Sequence, residues 1–467
     1  MKITFSNKPL NEQPKKYCRL ILTEDKPSWH RLVETKDGQL EYRMGAGKRK
    51  DATPGKFRTL VRTIVQAAKS HQIEHLAIHL GPMGCPKLEE KGSEWYFQTL
   101  AENIHLAAYE YTRYKTEKSK TELKEIVVCG GLSAVEKRSF STGETIALAT
   151  NTSRDIANTP ALDMTPDLLA KAAKTALKGT KAKVTILDTA ELKKLKMGAL
   201  LAVGQGSNNT PKLIVIEYKG ATKKSDRPIV LCGKGITYDT GGLNVKPSGA
   251  MHEMHLDMAG GSAVIGALTA IAKLRLKKNV IGVIPTAENA VSEKAMRAGD
   301  IVTSMSGKTI EVIHTDAEGR MVLADALTYS ERYNPKVVLD IATLTGAALV
   351  ALGQHTSAVM TKNEKLQDKL MTYGEDSGDL MWPLPLWDEY KQHIKSSRAD
   401  IANIAPNFSR FGGAIEGGTF LSFFAPKKTP WAHIDIAPRM TSVPSDKLAK
   451  GATGEPVRML VKFVDRY

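Results

Sequence analysis

Two short segments of the chain, 234–257 and 316–320, concentrate charged side chains. Carboxylates packed this densely would repel one another in a folded interior unless cations neutralised them. Hard divalent cations prefer carboxylate oxygens as ligands. The sequence therefore predicts a metal site. Its candidate carboxylates are Asp239, Asp257, Asp316 and Glu318, and the cationic side chains beside them are Lys234, Lys246 and Arg320.

Length and patterning predict the architecture. At 467 residues the chain exceeds what one hydrophobic core usually supports, so we expect two domains. Short apolar runs alternate with helical patterns, which predicts an α/β fold whose larger, C-terminal domain has a mostly parallel central sheet. Pro160 and Pro166 follow a helix that should end near Asn158. We therefore expect an N-terminal α/β domain at 1–150, a linker at 151–166 and the larger domain at 167–467.

Individual elements follow from periodicity. Strands are predicted at 17–22, 73–80, 125–129, 212–218, 228–232, 280–285 and 336–341, and helices at 56–70, 95–114, 259–274 and 320–332. The sequence GKGITYD follows the strand at 228–232 and is predicted to be a loop. It would place Lys234 and Asp239 at the carboxyl end of a strand, where sites form in such sheets.

The composition of the chain indicates the cellular compartment in which the protein is expected. No apolar run approaches the roughly 18 residues of a membrane span, and the first residues lack the apolar core of a signal peptide. We therefore expect a cytoplasmic protein. The cysteines, Cys18, Cys85, Cys129 and Cys232, lack metal-binding spacing, so reduced and mostly buried thiols are expected.

The charged segments resemble those of the leucine aminopeptidase (cytosol aminopeptidase) family. That family builds a dinuclear metal site from a GKG…D…GG…K stretch, a downstream Asp and an NTDAEGR loop. The resemblance covers the order and spacing of these positions across the last two-thirds of the chain. It extends to RDIANTP at 154–160, DIATLTGA at 340–347 and WAHIDIA at 431–437. It implies a catalytic metallopeptidase domain at 167–467, an N-terminal domain of the macro-like type and a homohexamer.

The resemblance also implies two divalent metal ions per chain. Mn²⁺ and Zn²⁺ are the first candidates, and Mg²⁺ and Co²⁺ are further ones. A lysine ligand must be neutral, and two adjacent dications would lower its pKa enough to allow this. The implied ligands are Lys234, Asp239, Asp257, Asp316 and Glu318, of which Asp239 and Glu318 would bridge both ions.

The implied reaction is hydrolysis of the N-terminal residue from peptides by a two-metal mechanism. Lys246 and Arg320 are implied to be catalytic, with Lys246 stabilising the developing oxyanion. Asp316, Glu318 and Arg320 alternate, so an extended loop would direct them to one place. The motifs contain no side-chain general base, and in the family a bicarbonate takes this role. It would be held by the Arg320 side chain and by the backbone amides of Ala317, Gly319, Arg320 and Leu344.

Substrate preference follows from the positions that match the family's pocket for the first residue. They are mostly apolar and offer no buried charge to a Lys or Asp side chain, which favours Leu or Met. The alternative is that the two methionines among them only fill the core. The pocket positions are Met254, Thr343, Gly346, Ala437 and Met440.

The chain departs from the family at His314, where Asn is usual. A histidine two residues before a metal-ligating Asp could be an outer-shell hydrogen-bond partner, an additional ligand or a pH-sensitive element. We favour the outer-shell role because five ligands already account for two ions.

Two other functions remain open at this stage. The net charge of +16 would attract polyanions, so the chain could be a DNA-binding or architectural protein, with or without peptidase activity. A two-metal phosphatase would also use bridging carboxylates. The lysine ligand and the apolar pocket argue against the phosphatase.

Overall fold

The computed structural model describes residues 1–27, 29–79, 85–117, 122–223, 225–408 and 411–467. They form two compact units. Unit 1 comprises Met1–Leu148 and Val443–Ala449, and unit 2 comprises Ala149–Ser442 and Lys450–Tyr467. The division falls within one helix, Ala134–Asn158, which ends where the sequence predicted. The predicted linker at 151–166 thus begins with the last two turns of this helix, and the domain limits at 150 and 167 stay predictions.

Unit 1 is built on a sheet in the order β1-β6-β5-β2-β4-β3. Neighbouring strands are parallel except for β3, which runs antiparallel to β4. The strands are β1 (Lys2–Ser6), β2 (Cys18–Thr23), β3 (His30–Glu34), β4 (Leu40–Gly45), β5 (His75–Ile78) and β6 (Glu125–Cys129). The helices are α1 (Pro54–Ser70), α2 (Pro86–Glu89), α3 (Gly92–Ala108) and α4 (Ala134–Asn158), of which α4 continues into unit 2.

Unit 2 holds a larger mixed sheet and a small second sheet. The strands are β7 (Lys183–Leu187), β8 (Lys212–Lys219), β9 (Ile229–Gly233), β10 (Gly235–Asp239), β11 (Asn279–Asn289), β12 (Ile301–Thr303), β13 (Thr309–Glu311), β14 (Val337–Ala342), β15 (Ser357–Met360), β16 (Met381–Pro383), β17 (Ile401–Ala402) and β18 (Trp431–Asp435). The helices are α5 (Pro166–Ala176), α6 (Thr189–Lys194), α7 (Gly198–Gly204), α8 (Ala259–Lys273), α9 (Glu318–Ser330), α10 (Gly346–Leu352), α11 (Glu364–Ser377), α12 (Gly413–Ser422) and α13 (Val457–Arg466).

The centre of the larger sheet is parallel. Its order is β16-β15-β18-β14-β9-β11-β8-β7, and β10 pairs with β11 outside this path. β18, β14, β9 and β11 run parallel, and β8 and β7 continue the sheet antiparallel. Helices α8 and α9 pack against β9 and β11. The central strands are mostly apolar and are buried along nearly all of their length, as expected for strands covered on both faces. The predicted α/β fold class is confirmed.

Most predicted elements agree with the structure within a few residues. The strand at 125–129 matches β6, and the strands at 212–218, 228–232, 280–285 and 336–341 match β8, β9, β11 and β14. Leu80, at the end of the strand predicted at 73–80, lies outside the described residues.

Three predicted details were wrong. The GKGITYD segment is not a loop, because 235–239 form strand β10 beside β11. Helix α9 begins at Glu318 rather than at Arg320. Helix α3 stops at Ala108 instead of reaching 114, because the backbone of Tyr109 is extended.

The sequence analysis also expected no apolar run near the length of a membrane span, and mostly buried cysteines. Within the described residues, one stretch, Met254–Lys273, has the length and mean hydropathy of a span, which corrects the expectation that none approaches it. It is 89% buried inside the protein, as in a core helix. All the cysteines are free; Cys85 is half-buried and the others are buried, which confirms the expectation that the thiols are mostly buried.

Candidate active site

The charged side chains converge at the carboxyl ends of strands in unit 2. Lys234 directly follows β9, and Asp239 is the last residue of β10. Asp257 lies in the 3-10 helix Met254–Met258 that leads into α8, and Glu318 is the first residue of α9. Segments distant in sequence therefore deliver these groups to one place, as expected at this edge of a parallel sheet.

Lys234 connects one half of the cluster. Its Nζ lies 2.7 Å from Asp257 Oδ2 and 2.9 Å from Glu318 Oε1, and it donates to the carbonyl oxygen of Thr343 at 3.1 Å. The Thr343 hydroxyl in turn donates to Asp257 Oδ1 at 2.7 Å. All these residues are buried. The glycine at 319 permits the approach, because a Cβ on Gly319 would lie 2.5 Å from Lys234 Nζ.

Lys246 connects the other half. Its Nζ lies 2.7 Å from Asp239 Oδ2 and 2.6 Å from Asp316 Oδ1. The second oxygen of Asp239 accepts from the Gly241 amide and from Asn289 Nδ2, both at 2.8 Å. Asp239 is thereby fixed by neutral donors on one oxygen and by an ammonium group on the other.

Arg320 makes no ion pair with these carboxylates in the described part of the chain. The segment 316–320 is not the extended loop that was expected, because Glu318 and Arg320 lie in the first turn of the helix. The Arg320 Nη1 donates to the carbonyl oxygen of Asn403 at 2.8 Å. Its buried Nε has no hydrogen-bond partner among the described residues. A buried guanidinium N–H without a partner is available to an anion.

Two of the backbone amides assigned to bicarbonate already have acceptors. The Ala317 amide donates to the carbonyl oxygen of His314 at 3.2 Å, and the Leu344 amide donates to Asp435 Oδ1 at 3.0 Å. An anion at this position would therefore depend mainly on Arg320 and on the start of α9, where helix geometry leaves N–H groups without helical acceptors.

His314 takes a role that an asparagine would also fill. Its Nδ1 accepts from the Asp316 amide at 3.3 Å, so the proton of the neutral ring is on Nε2. An asparagine side chain makes the same contact in an Asx turn, with the amide two residues ahead. Burial, and after it Lys246, lower the pKa of His314. The low pKa maintains the neutral ring that this contact requires, and the geometry favours the outer-shell interpretation.

The cluster carries surplus negative charge, since four carboxylates surround two ammonium groups. Burial, followed by the charge of Asp239, raises the pKa of Glu318 to about 7 and that of Asp316 to about 6. One oxygen each from Asp239, Asp316 and Glu318 lie within 4.8 Å of one another. Glu318 Oε2 is buried without a hydrogen-bond partner in the described part of the chain. Crowded oxygens, surplus negative charge and an orphaned acceptor fit divalent cations.

The protonation of Lys234 depends on what neutralises its neighbours. Burial alone favours the neutral amine, but Asp257, Glu318 and Asp239 outweigh burial and raise the pKa of Lys234. Dications at these carboxylates would reverse that balance, because a bound ion is then the largest local charge. A neutral Lys234 amine is therefore compatible with metal binding, and metal binding should release protons.

The raised pKa of Glu318 leads to a prediction for the metal-free protein. Its pKa rises from 4.5 to about 7 on folding, so the native state holds more protons than the unfolded state between these values. Stability is then lost as the pH rises through this window. The neutral side chain of Glu318→Gln avoids this loss. Since one pKa unit is worth about 1.4 kcal/mol, we expect the variant to gain roughly 3 kcal/mol at pH 8 and little at pH 5.

Urea unfolding of chelator-treated protein at both pH values measures this difference. Glu293→Gln is the matched control, because Glu293 is exposed in the same unit. It should leave stability unchanged at both pH values. A Glu318→Gln variant that is equally destabilised at pH 5 and pH 8 would contradict the electrostatic account.

The predicted pocket residues lie on elements around Asp257. Met254 opens the 3-10 helix that carries Asp257, and Thr343 is bonded to that carboxylate. Gly346 begins α10, which contacts the 3-10 helix Ala437–Arg439. Met440 packs against a small apolar cluster that includes Leu256, the residue before Asp257. A Cβ on Gly346 would enter open space, so a side chain there would narrow that space.

Several residues that shape the site were missed by sequence reasoning. Asn403 accepts from the Ile313 and His314 amides and donates to the His314 carbonyl, which anchors the segment before Asp316. Asp435 holds the Leu344 amide and the Thr345 hydroxyl. Asp435 lies within the WAHIDIA motif, and this position could have identified it as a residue of the site. The sequence around Asn403 contains no comparable signal.

Two of the motifs outside the charged segments lie next to each other in the sheet. DIATLTGA and WAHIDIA lie on the adjacent parallel strands β14 and β18, where Asp340 is opposite His433. Asp340 accepts from the Trp431 indole at 2.7 Å and also bonds the His433 ring. These motifs therefore bond neighbouring strands of the sheet to each other through buried side chains.

Family models and relatives match most of the chain. The model described as the cytosol aminopeptidase family, catalytic domain, matches residues 151–461, and that for the N-terminal domain of the same family matches 42–118. A protein of Pseudomonas aeruginosa named probable cytosol aminopeptidase is 42% identical over 425 residues, which cover 90% of this chain and 84% of that protein.

Solved structures are similar over nearly the whole length. The bottromycin maturation enzyme BotP in complex with Mn has a TM-score of 0.86 and 32% identity, covering 96% of this chain and 98% of its own. A mutant of tomato leucine aminopeptidase has a TM-score of 0.89 and 30% identity, covering 100% of this chain and 97% of its own.

Proposed function

The chain belongs to the cytosol aminopeptidase family and is a metal-dependent aminopeptidase, and we propose that it removes the N-terminal residue, preferably Leu or Met, from peptides by a two-metal mechanism. The observation that supports this proposal most directly is the convergence of Lys234 and Lys246 on buried and half-buried carboxylates that carry surplus negative charge. The nucleic-acid alternative has no support among the comparisons, which are with aminopeptidases.

We propose that this cluster holds two divalent ions, Mn²⁺ or Zn²⁺ first and Mg²⁺ or Co²⁺ as further candidates. When bound, such ions polarise a carbonyl group and acidify water. The crowded oxygens, the orphaned Glu318 Oε2 and the surplus negative charge support this assignment. The ligands would be Lys234, Asp239, Asp257, Asp316 and Glu318, with Asp239 and Glu318 shared.

Lys246 would act as a cation at the reacting carbonyl. Burial favours its neutral form, but Asp239, Glu318 and Asp316 together raise the pKa of Lys246. In the metal-free protein this ammonium group is therefore protonated at neutral pH. We propose that Lys246, unlike Lys234, does not ligate the ions and keeps its charge when they are bound, so that it can donate to an oxyanion as negative charge develops there. This role requires the charge, whereas the role proposed for Lys234 requires a neutral amine.

Arg320 would hold the bicarbonate that serves as general base. Its buried Nε–H lacks a partner among the described residues, and the amides of Gly319 and Arg320 lie in the first turn of α9. An anion at a helix start is stabilised by these N–H groups and by the helix dipole. The Ala317 and Leu344 amides would donate to the anion only if each shared its N–H between the anion and its present acceptor.

Specificity would come from the apolar pocket. Met254, Ala437 and Met440 are half-buried and offer no charge to a substrate side chain. Leu and Met side chains fit such a surface better than Lys or Asp, because an unpaired buried charge is costly. The experiment that tests the proposal is amino-acid release from peptides beginning with Leu, Met, Lys or Asp, after chelation and after addback of Mn²⁺ or Zn²⁺.

We further propose a homohexamer and a cytoplasmic location. The family resemblance supports the hexamer, and the name of the relatives, cytosol aminopeptidase, supports the location. Light scattering in moderate salt tests the assembly, and a monomer at micromolar concentration would contradict it.

His314→Asn should keep both metals and most of the activity at neutral pH. An asparagine oxygen can accept from the Asp316 amide as Nδ1 of His314 does. The acid limb of the pH profile should shift to lower pH, because a ring that must stay neutral has been removed. Metal analysis and kcat/KM from pH 5.5 to 9 measure both effects. His314→Ala is the comparison, and it should lose activity because nothing replaces the acceptor.

Loss of one metal equivalent in His314→Asn would make His314 a ligand. An unchanged pH profile would make its protonation irrelevant to catalysis.

A further inference from the structure

Unit 1 contains a cavity at the carboxyl ends of its parallel strands. Its volume is about 610 Å³, within the range of small-molecule sites. The residues lining it come from the ends of β2 and β4, from His79 after β5 and Gly130 after β6, and from helices α1, α2 and α3. Ligands of open α/β sheets bind at this edge. None of the residues that line it belongs to the peptidase site in unit 2.

The floor of the cavity is apolar and partly aromatic. Phe57 and Tyr96 stack with their ring centroids 4.4 Å apart and their planes 24° apart. Leu20 and Leu88 are buried beside them, and Leu60 is half-buried. A flat apolar group could pack against such a surface and displace water from it.

The polar part of the lining carries more positive than negative charge. Its charged groups are Lys48, Arg49 and Lys56 against Glu24 and Asp51. Arg49 lies 3.8 Å from Glu24, and Lys56 Nζ donates to the backbone carbonyl of Asp51 at 3.1 Å. Lys48 makes no ion pair with the described residues, so its charge is available to a ligand.

The start of a helix adds to this positive character, and His79 is held in a fixed orientation at the cavity wall. Helix α1 starts beside the cavity with Thr53 as its N-cap, and the amino end of a helix of this length favours anions. His79 Nδ1 bonds the carbonyl of Cys129 at 3.0 Å, so this nitrogen carries the proton. The ring fits only because residue 130 is glycine, since a Cβ there would lie 2.5 Å from it.

We propose that unit 1 carries a second binding site, for a small planar apolar molecule with an anionic group. The apolar body would pack on the floor formed by Phe57, Tyr96 and the leucines, and the anion would lie near Lys48 and the start of α1. This site is independent of the peptidase function, because its residues are different and its ligand need not be a peptide.

Fluorescence titration of the full-length protein with an anilinonaphthalene sulfonate dye tests the proposal. The dye is aromatic, planar in part and anionic. We expect one saturable site per chain. Ala52→Trp should fill the cavity, since Ala52 is half-buried in its lining, and should weaken binding by about tenfold or more. Lys48→Ala should weaken it by about two- to fivefold.

Matched controls come from the same unit. Ala134→Trp and Lys36→Ala change exposed residues outside the cavity lining and should bind the dye like the unchanged protein. Cys85 reports the location, because it lines the cavity and is half-buried whereas the other cysteines are buried. Saturating dye should slow the alkylation of Cys85 by N-ethylmaleimide, measured by peptide mass spectrometry.

Absence of a saturable site, or alkylation of Cys85 that is unaffected by saturating dye, would overturn the proposal. Equal binding by folded Ala52→Trp would also overturn it. If Ala52→Trp does not fold, the Cys85 measurement and Lys48→Ala remain decisive. Equal affinity in Lys48→Ala would overturn the anionic part of the assignment.

Discussion

Glu318→Gln should lose at least one metal equivalent and lower kcat/KM by about 10³-fold or more, because a bound ion supplies several kcal/mol of transition-state stabilisation. Glu318 is the first residue of α9, is buried, and its Oε2 has no hydrogen-bond partner in the described structure. A glutamine has nearly the same shape but no negative charge. It therefore removes a ligand while leaving packing almost intact.

The metal-free stability of the same variant separates this effect from misfolding. If Glu318→Gln is inactive yet more stable than the unchanged protein at pH 8 without metal, its fold is intact and the lost function is metal binding. Metal analysis after dialysis, kinetics on a Leu-peptide and urea unfolding measure the three properties. Full activity with both metals bound would remove Glu318 from the ligand set.

Lys246→Ala should keep metal content near that of the unchanged protein and lower kcat by about 10²- to 10³-fold. The ammonium group of Lys246 lies within 2.7 Å of both Asp239 and Asp316, in position to interact with a reacting carbonyl near those carboxylates. Its loss should affect kcat more than KM, because the donor is needed most in the transition state.

Lys294→Ala is the matched control, since Lys294 is an exposed lysine of the same unit. It should leave metal content and kcat unchanged. If Lys246→Ala instead loses both metals, Lys246 belongs to the metal shell and its catalytic assignment is wrong.

The charged cluster could be anticipated from sequence because its members lie in two compact segments with distinctive spacing. The residues that hold the cluster in place through hydrogen bonds could not be anticipated. Asn403 and Asn289 contact their partners from segments about 90 and 50 residues away, through long-range hydrogen bonds that leave no local pattern. Only the folded sheet brings such residues together.

Errors in the predicted elements have local causes. Ile236, Thr237 and Tyr238 favour a strand, which the loop interpretation of this segment overlooked, and pairing with β11 makes 235–239 strand β10. The start of α9 at Glu318 matters for chemistry, because it places a carboxylate at the positive end of a helix. The extended-loop interpretation of 316–320 failed because it began the following helix at Arg320, whereas α9 already includes Glu318.

The central claim is metal-dependent cleavage that requires a free N-terminus. The most direct test measures release of the first residue from a Leu-peptide and from its N-acetylated form, after chelation and after addback of Mn²⁺ or Zn²⁺. We predict release from the free peptide only, abolished by chelation and restored by metal. Equal release from both peptides, or release that persists without metal, would contradict the account.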